Sequence, residues 1–233
     1  MNCWICGASD AATREHRTKA SDLKDLFGMP SQQDPLYFHA NARPGKPARR
    51  NVPIGSLKSG ALKYTHRICL ACNSSRTQPY DRAWAYTSAI LRSNVLRLSD
   101  RYSFRSNWLF PYETRHGMCN LHLYFVKLFG CQIVEGGIPI DIASFAKAIL
   151  EGRPHPNLFL AFGHLSNLPV AVAGGTDVHA DLLNGQVAFA SWIYQVGDLC
   201  VNVMYAVPGE HRQGLQVAWH PREGSKRLTF SKF

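Results

Sequence analysis

Four of the seven cysteines fall in two Cys-x-x-Cys pairs, Cys3/Cys6 and Cys69/Cys72. Two residues between cysteines let both thiolates reach one ion from a tight turn. Two such knuckles complete a tetrahedral four-sulfur zinc site. With every ligand place filled by protein, such an ion is structural and keeps no open position for catalysis. Cys119, Cys131 and Cys200 are scattered among apolar residues and read as small core residues. The count is odd, and the start, MNCWICG, lacks the basic and apolar stretches of a secretory leader. Both features argue against a disulfide framework and for a cytoplasmic protein.

Two further features flank the cysteines. Glu15-His16 stands nine residues past Cys6, and Asn73 directly follows Cys72. The series CWIC, then EH, then CLACN resembles the HNH (His-Me finger) endonucleases. The resemblance is to the subset whose ββα-metal core sits on a four-cysteine zinc knuckle, as in junction-resolving enzymes of the phage endonuclease VII type. It covers roughly residues 3–85 and says nothing of 111–233. It implies that Glu15 is an acidic ligand of a catalytic Mg2+ or Mn2+, that Asn73 is the second ligand, and that His16 is the general base. It also implies that Arg17 contacts the adjacent phosphate. Many relatives carry an Asn shortly before the second cysteine pair to pin the loop of the general base. Lys63-Tyr64-Thr65-His66 holds none, so His66 or a backbone group must take that part.

Phosphodiester hydrolysis has matching needs. An attacking water must lose a proton near pH 7, and a histidine with an ordinary pKa of about 6.5 can take it. The scissile phosphate and leaving oxygen need charge relief, which a hard divalent cation on oxygen ligands supplies. Neighbours on an extended strand point to opposite sides, so the chain must bend for Glu15 and His16 to serve one phosphate.

The elements that position these groups read as follows. Ser21 caps a short helix over 21–27 that stops at Gly28. Residues 28–60 are rich in Pro, Gly and basic side chains (Arg43, Lys46, Arg49, Arg50, Lys58) and read as an extended insertion. A strand is expected over 61–68 and a short helix from about Cys72 to before Pro79. A longer helix runs from Asp81 to Leu98, with Trp84, Ser88, Leu91 and Val95 on one face. Asp81 is its N-cap or a further metal ligand. Arg76 has the planar fork that suits a phosphate. Beyond 110, Leu121–Phe129 reads as a helix, and Asp141 caps another over 142–151. Strands are expected over 157–162, 168–173, 186–196, 199–207 and 214–219, with a tight turn at Gly197-Asp198. Trp192 and Tyr194 share a strand face and read as core rather than as a recognition surface. The expected fold is α+β: an HNH core on a zinc knuckle over 1–110, then a neutral α+β domain with an antiparallel sheet over 111–233.

Charge divides the same way. The net charge is +10; residues 1–110 hold 17 Lys and Arg against 7 Asp and Glu, and residues 111–233 hold 9 of each. A basic half beside a neutral one points to a polyanion partner for the first half alone. Arg17, Lys19, Arg49, Arg50 and Arg76 are its candidate phosphate contacts. The expected function is DNA hydrolysis by an HNH endonuclease, and nothing in the residues separates RNA from DNA. The family's habit implies a homodimer, formed through 111–233. No apolar run reaches the ~18 residues of a membrane span. The alternative is a non-catalytic zinc-knuckle module that binds nucleic acid or protein. Such a module has no need of the trio Glu15, His16 and Asn73.

Overall fold

The computed structural model describes residues 2–42, 47–165, 168–222 and 226–233. The chain is α+β, with a sheet that is antiparallel at all but one pairing and a four-cysteine cluster near the N-terminus.

Helix α1 (Ala20–Phe27) ends at Gly28, whose φ of 75° suits a residue without Cβ. The N-cap is Lys19, not Ser21, because a tertiary bond sets the start: the Lys19 N–H donates to the Tyr194 hydroxyl at 3.1 Å. Ser21 lies in the first turn with its Oγ buried and unbonded. The insertion is built on an antiparallel hairpin of β1 (Leu36–Ala40) and β2 (Arg49–Ile54). Arg43 and Lys46 lie outside the described residues.

The strand expected over 61–68 is a 3-10 turn (Gly60–Leu62) followed by an irregular ribbon against residues 13–17. Thr13 and Ile68 exchange both backbone bonds at 3.0 Å, the Tyr64 N–H reaches Glu15 O, and the Arg17 N–H reaches Leu62 O. After it come α2 (Leu70–Asn73), α3 (Gln78–Ser93) and α4 (Val95–Arg101). The one long helix expected there starts three residues earlier and breaks at Asn94. Pro79 stands in the first turn, where its missing N–H costs nothing. Trp84, Ser88 and Leu91 are fully buried and Val95 nearly so, as the periodicity indicates.

Strand β3 (Ser103–Arg105) and α5 (Ser106–Leu109) lead to α6 (Thr114–Gly136). Every residue of α6 from Asn120 to Ile133 is buried, which makes it the central helix of the core. Helix α7 (Ile142–Glu151) is capped by Asp141, whose Oδ1 accepts from the Ala143 N–H at 2.9 Å. Then follow β4 (Leu158–His164), β5 (Ala173–Gly175), β6 (His179–Leu183), β7 (Gln186–Val196), β8 (Leu199–Ala206), α8 (Gln213–Gln216) and β9 (Arg227–Lys232). The order is β3-β9-β4-β8-β7-β5, with β6 also on β7 and only β4–β9 parallel. The strand expected over 214–219 is instead α8 and a single bridge of Trp219 to Leu160. The strand expected over 168–173 is confined to β5, which begins at Ala173.

One hydrophobic cluster runs from Cys3, Ile5 and Tyr64 through Trp84, Tyr124 and Phe125 to Trp192, Tyr194 and Phe230. Packing is therefore continuous across position 110. The Trp84 ring stacks on Tyr124 and meets Tyr194 edge-on, both at 5.4 Å. Trp192 and Tyr194 are core residues. No helix among the described residues is long and apolar enough to cross a membrane.

Candidate active site

The ligand atoms of Cys3, Cys6, Cys69 and Cys72 all lie within 4.8 Å of one another. Sulfurs ~2.3 Å from a shared tetrahedral ion stand ~3.8 Å apart, and Cys6 Sγ lies 3.6 Å from Cys69 Sγ. The turns are those of metal knuckles. The Gly7 N–H donates to Cys3 O at 2.8 Å, with Gly7 at φ 77°. In the second knuckle the Cys72 N–H donates to Cys69 Sγ at 3.4 Å, and the Asn73 N–H to Cys69 O at 3.0 Å. Soft thiolates in this arrangement fit a structural ion such as zinc. Arg76 Nη1 donates to Cys72 Sγ at 2.8 Å, so its guanidinium would offset thiolate charge around a bound ion.

The ribbon carries Glu15 and His16, and the chain bends just after them, at Arg17 and Thr18. His16 is half-buried, and its Nε2 lies 3.2 Å from Leu57 O. A carbonyl only accepts, so Nε2 carries the hydrogen and Nδ1 keeps its lone pair. No hydrogen bond to Nδ1 occurs among the described residues. Burial is the main influence that holds the His16 pKa below its ordinary value, partly offset by the Leu57 bond. The ring is thus oriented, and its neutral form is favoured. The carbonyl of Leu57 holds the His16 ring, while the His66 N–H and Nδ1 lie against Glu135.

Glu15 is engaged from the other half of the chain. Lys127, fully buried in mid-α6, donates from Nζ to Glu15 Oε2 and to Asp81 Oδ1, both at 2.9 Å, with Thr77 Oγ1 at 3.4 Å. Burial alone would depress the ammonium, but the two carboxylates outweigh it and raise its pKa. Glu15 Oε1 has no hydrogen bond among the described residues. Asp81 is therefore a partner of Lys127, not a cap; the N-cap position belongs to Thr77. Sequence reading missed Lys127, although a lone lysine inside LYFVKLF was the available signal. Asn73 ends α2 half-exposed, and no hydrogen bond joins its side chain to Glu15 or His16 among the described residues.

The one carboxylate of α6 also holds the ribbon, on both of its strands. Glu135 accepts from Arg17 Nη2 (2.7 Å), from the Thr65 N–H (2.9 Å) and hydroxyl (2.6 Å), and from the His66 N–H (3.2 Å). Burial alone would raise its pKa, but these donors and the charge on Arg17 hold it down at about 2. Arg17 also lies 4.8 Å over the Tyr64 ring, so the expected phosphate contact serves inside the protein. Lys19 Nζ lies 3.9 Å from Asp81. Arg49 and Arg50 are exposed on the hairpin.

Comparison with protein-family models, with curated proteins and with solved structures gives no match.

Proposed function

We propose that this chain is a metal-dependent endonuclease of HNH type that hydrolyses DNA phosphodiesters. The observation that carries the reading is His16: an imidazole with Nε2 tied to a carbonyl and Nδ1 unengaged among the described residues. The order ribbon, ribbon, helix on a four-cysteine cluster supports it, with Asn73 at the end of α2. In the proposed reaction His16 Nδ1 takes the proton of the attacking water. Glu15 and Asn73 supply the hard oxygen donors that would hold Mg2+ or Mn2+. That ion, when bound, would neutralise charge on the phosphate and the leaving 3′ oxygen. The resemblance implies products with 5′-phosphate and 3′-hydroxyl ends.

The test is nicking of supercoiled plasmid with Mg2+ or Mn2+, wild type against His16→Ala at equal zinc content. Loss of a general base costs roughly 10²–10⁴-fold in rate. Retained cleavage in the variant removes His16 from the role. The second reading, a non-catalytic binding module, is favoured by the Lys127 ammonium already on Glu15. DNA bound but not cut by wild type in any divalent metal would select it.

A further inference from the structure

From the structure we infer that the β1–β2 hairpin is a grip for duplex DNA. The inference rests on the nuclease reading for its partner and extends it to the insertion, which carries none of the motif residues of the resemblance. Between Asp34 and Asp81 the sequence has no acidic residue. The hairpin itself is two-faced. Leu36, Phe38, Val52 and Ile54 lie on one face, half-buried or buried, and the register pairs them directly. The opposite face turns Tyr37, which is 62% exposed, to solvent beside Pro53. Arg49 and Arg50 open β2, both exposed, with the Arg49 guanidinium 5.7 Å from the Phe38 ring centre.

Three features define the partner. The lack of acidic charge matches a polyanion. Pro53 removes a donor from β2, which disfavours strand addition by a peptide. A two-stranded ribbon enters the major groove of B-form DNA, whereas the narrow major groove of A-form RNA does not admit it. The hairpin is also tied to the chemistry. Leu57, the residue whose carbonyl orients His16, lies three residues past β2. At the other end Asn41 Nδ2 donates to Asp177 Oδ2 at 2.9 Å, which anchors the arm to the second half of the chain.

The test is fluorescence anisotropy of a 30-base-pair DNA duplex at 50–200 mM salt. It compares full-length His16→Ala with the same chain also carrying Arg49→Ala and Arg50→Ala. If each arginine meets one phosphate, the slope of log affinity against log salt shrinks by about 1.8. Arg49→Glu with Arg50→Glu should weaken binding further, with an unchanged circular dichroism spectrum. Unchanged slope and affinity in both variants overturn the grip. So does no DNA binding by the parent, or tighter hairpin-dependent binding of duplex RNA. The nuclease reading is decided separately, by plasmid nicking with the wild type.

Discussion

Acid should unfold this protein through its buried histidines. His122 on α6 is fully buried, with Nε2 bonded to Leu158 O at 2.8 Å and its ring 5.2 Å from that of His220. The titratable and charged groups facing it are His155, His220 and Arg222, all basic types. Burial first, against the Leu158 bond and with these neighbours, pushes His122 down to about 3; burial first, with His220 and Arg222 against Asp141, pushes His155 to about 4. Both rings are therefore neutral in the fold and protonated near pH 6 in the unfolded chain. The unfolded state binds more protons, so stability is complete above pH ~6.5 and falls as pH drops toward the folded values. Each ring contributes a slope of ~1.4 kcal/mol per pH unit. The two together remove about 5 kcal/mol between pH 6.5 and 4.5, comparable with the whole stability of many domains. The assay is urea unfolding by tryptophan fluorescence at pH 7.5, 6.5, 5.5 and 4.5, wild type against His122→Gln. Glutamine keeps a donor for Leu158 O but cannot titrate, so the slope of stability against pH should fall by ~1.4 kcal/mol per unit. Metal loss in acid is common to both proteins and cancels in the difference. Parallel curves would refute the reasoning.

Other outcomes follow from the site. Purified protein should carry one zinc per chain by elemental analysis, and Cys69→Ser or strong chelation should expose the core, since metal affinity is also folding free energy. Lys127→Met should cost ~3–5 kcal/mol, because Glu15 and Asp81 lose their counter-charge. Adding Glu15→Gln and Asp81→Asn should restore part of it, as denaturant midpoints will show. Glu135 contributes stability that is complete above pH ~4.5 and lost as pH falls through about 2. Glu135→Gln should therefore flatten the pH profile below 4.5, and equal acid profiles would count against the network drawn around it.

Short-range chemistry was the legible part. The spacing within each cysteine pair is legible because each knuckle is a local turn, whereas the ribbon that joins Thr13 to Ile68 brings the two pairs together. Asp141 caps its helix because an Asx side chain reaches the N–H two residues on. Strand β7 follows from its apolar run and the Gly197 turn. Strand β6 was missed although Asn184-Gly185, both at positive φ, mark its hairpin to β7. Its residues, HADLL, lie on a half-exposed edge and show no clean alternation. The candidate site was legible only in part. The residue that orients His16 acts through a backbone carbonyl, which no side chain advertises. Lys127 and Glu135 meet partners 112 and 118 positions away, and a single charged residue carries no sign of so distant a contact. The start of α1 shows the same thing on a small scale, since a hydroxyl from β7 overrode the local cap.

The placement of both clamps on α6 sets an order of events during synthesis. Cys72 leaves the ribosome with everything the metal knuckle needs, but Lys127 and Glu135 follow some fifty residues and more behind it. At ribosomal speeds this gap is roughly 3–10 s. In that interval Glu15 and Asp81 stay in water and Arg17 has no carboxylate. The two side-chain clamps on the ribbon form only when the central helix arrives. A chain that stops short of residue 127 would have its four cysteines without the two clamps on its ribbon.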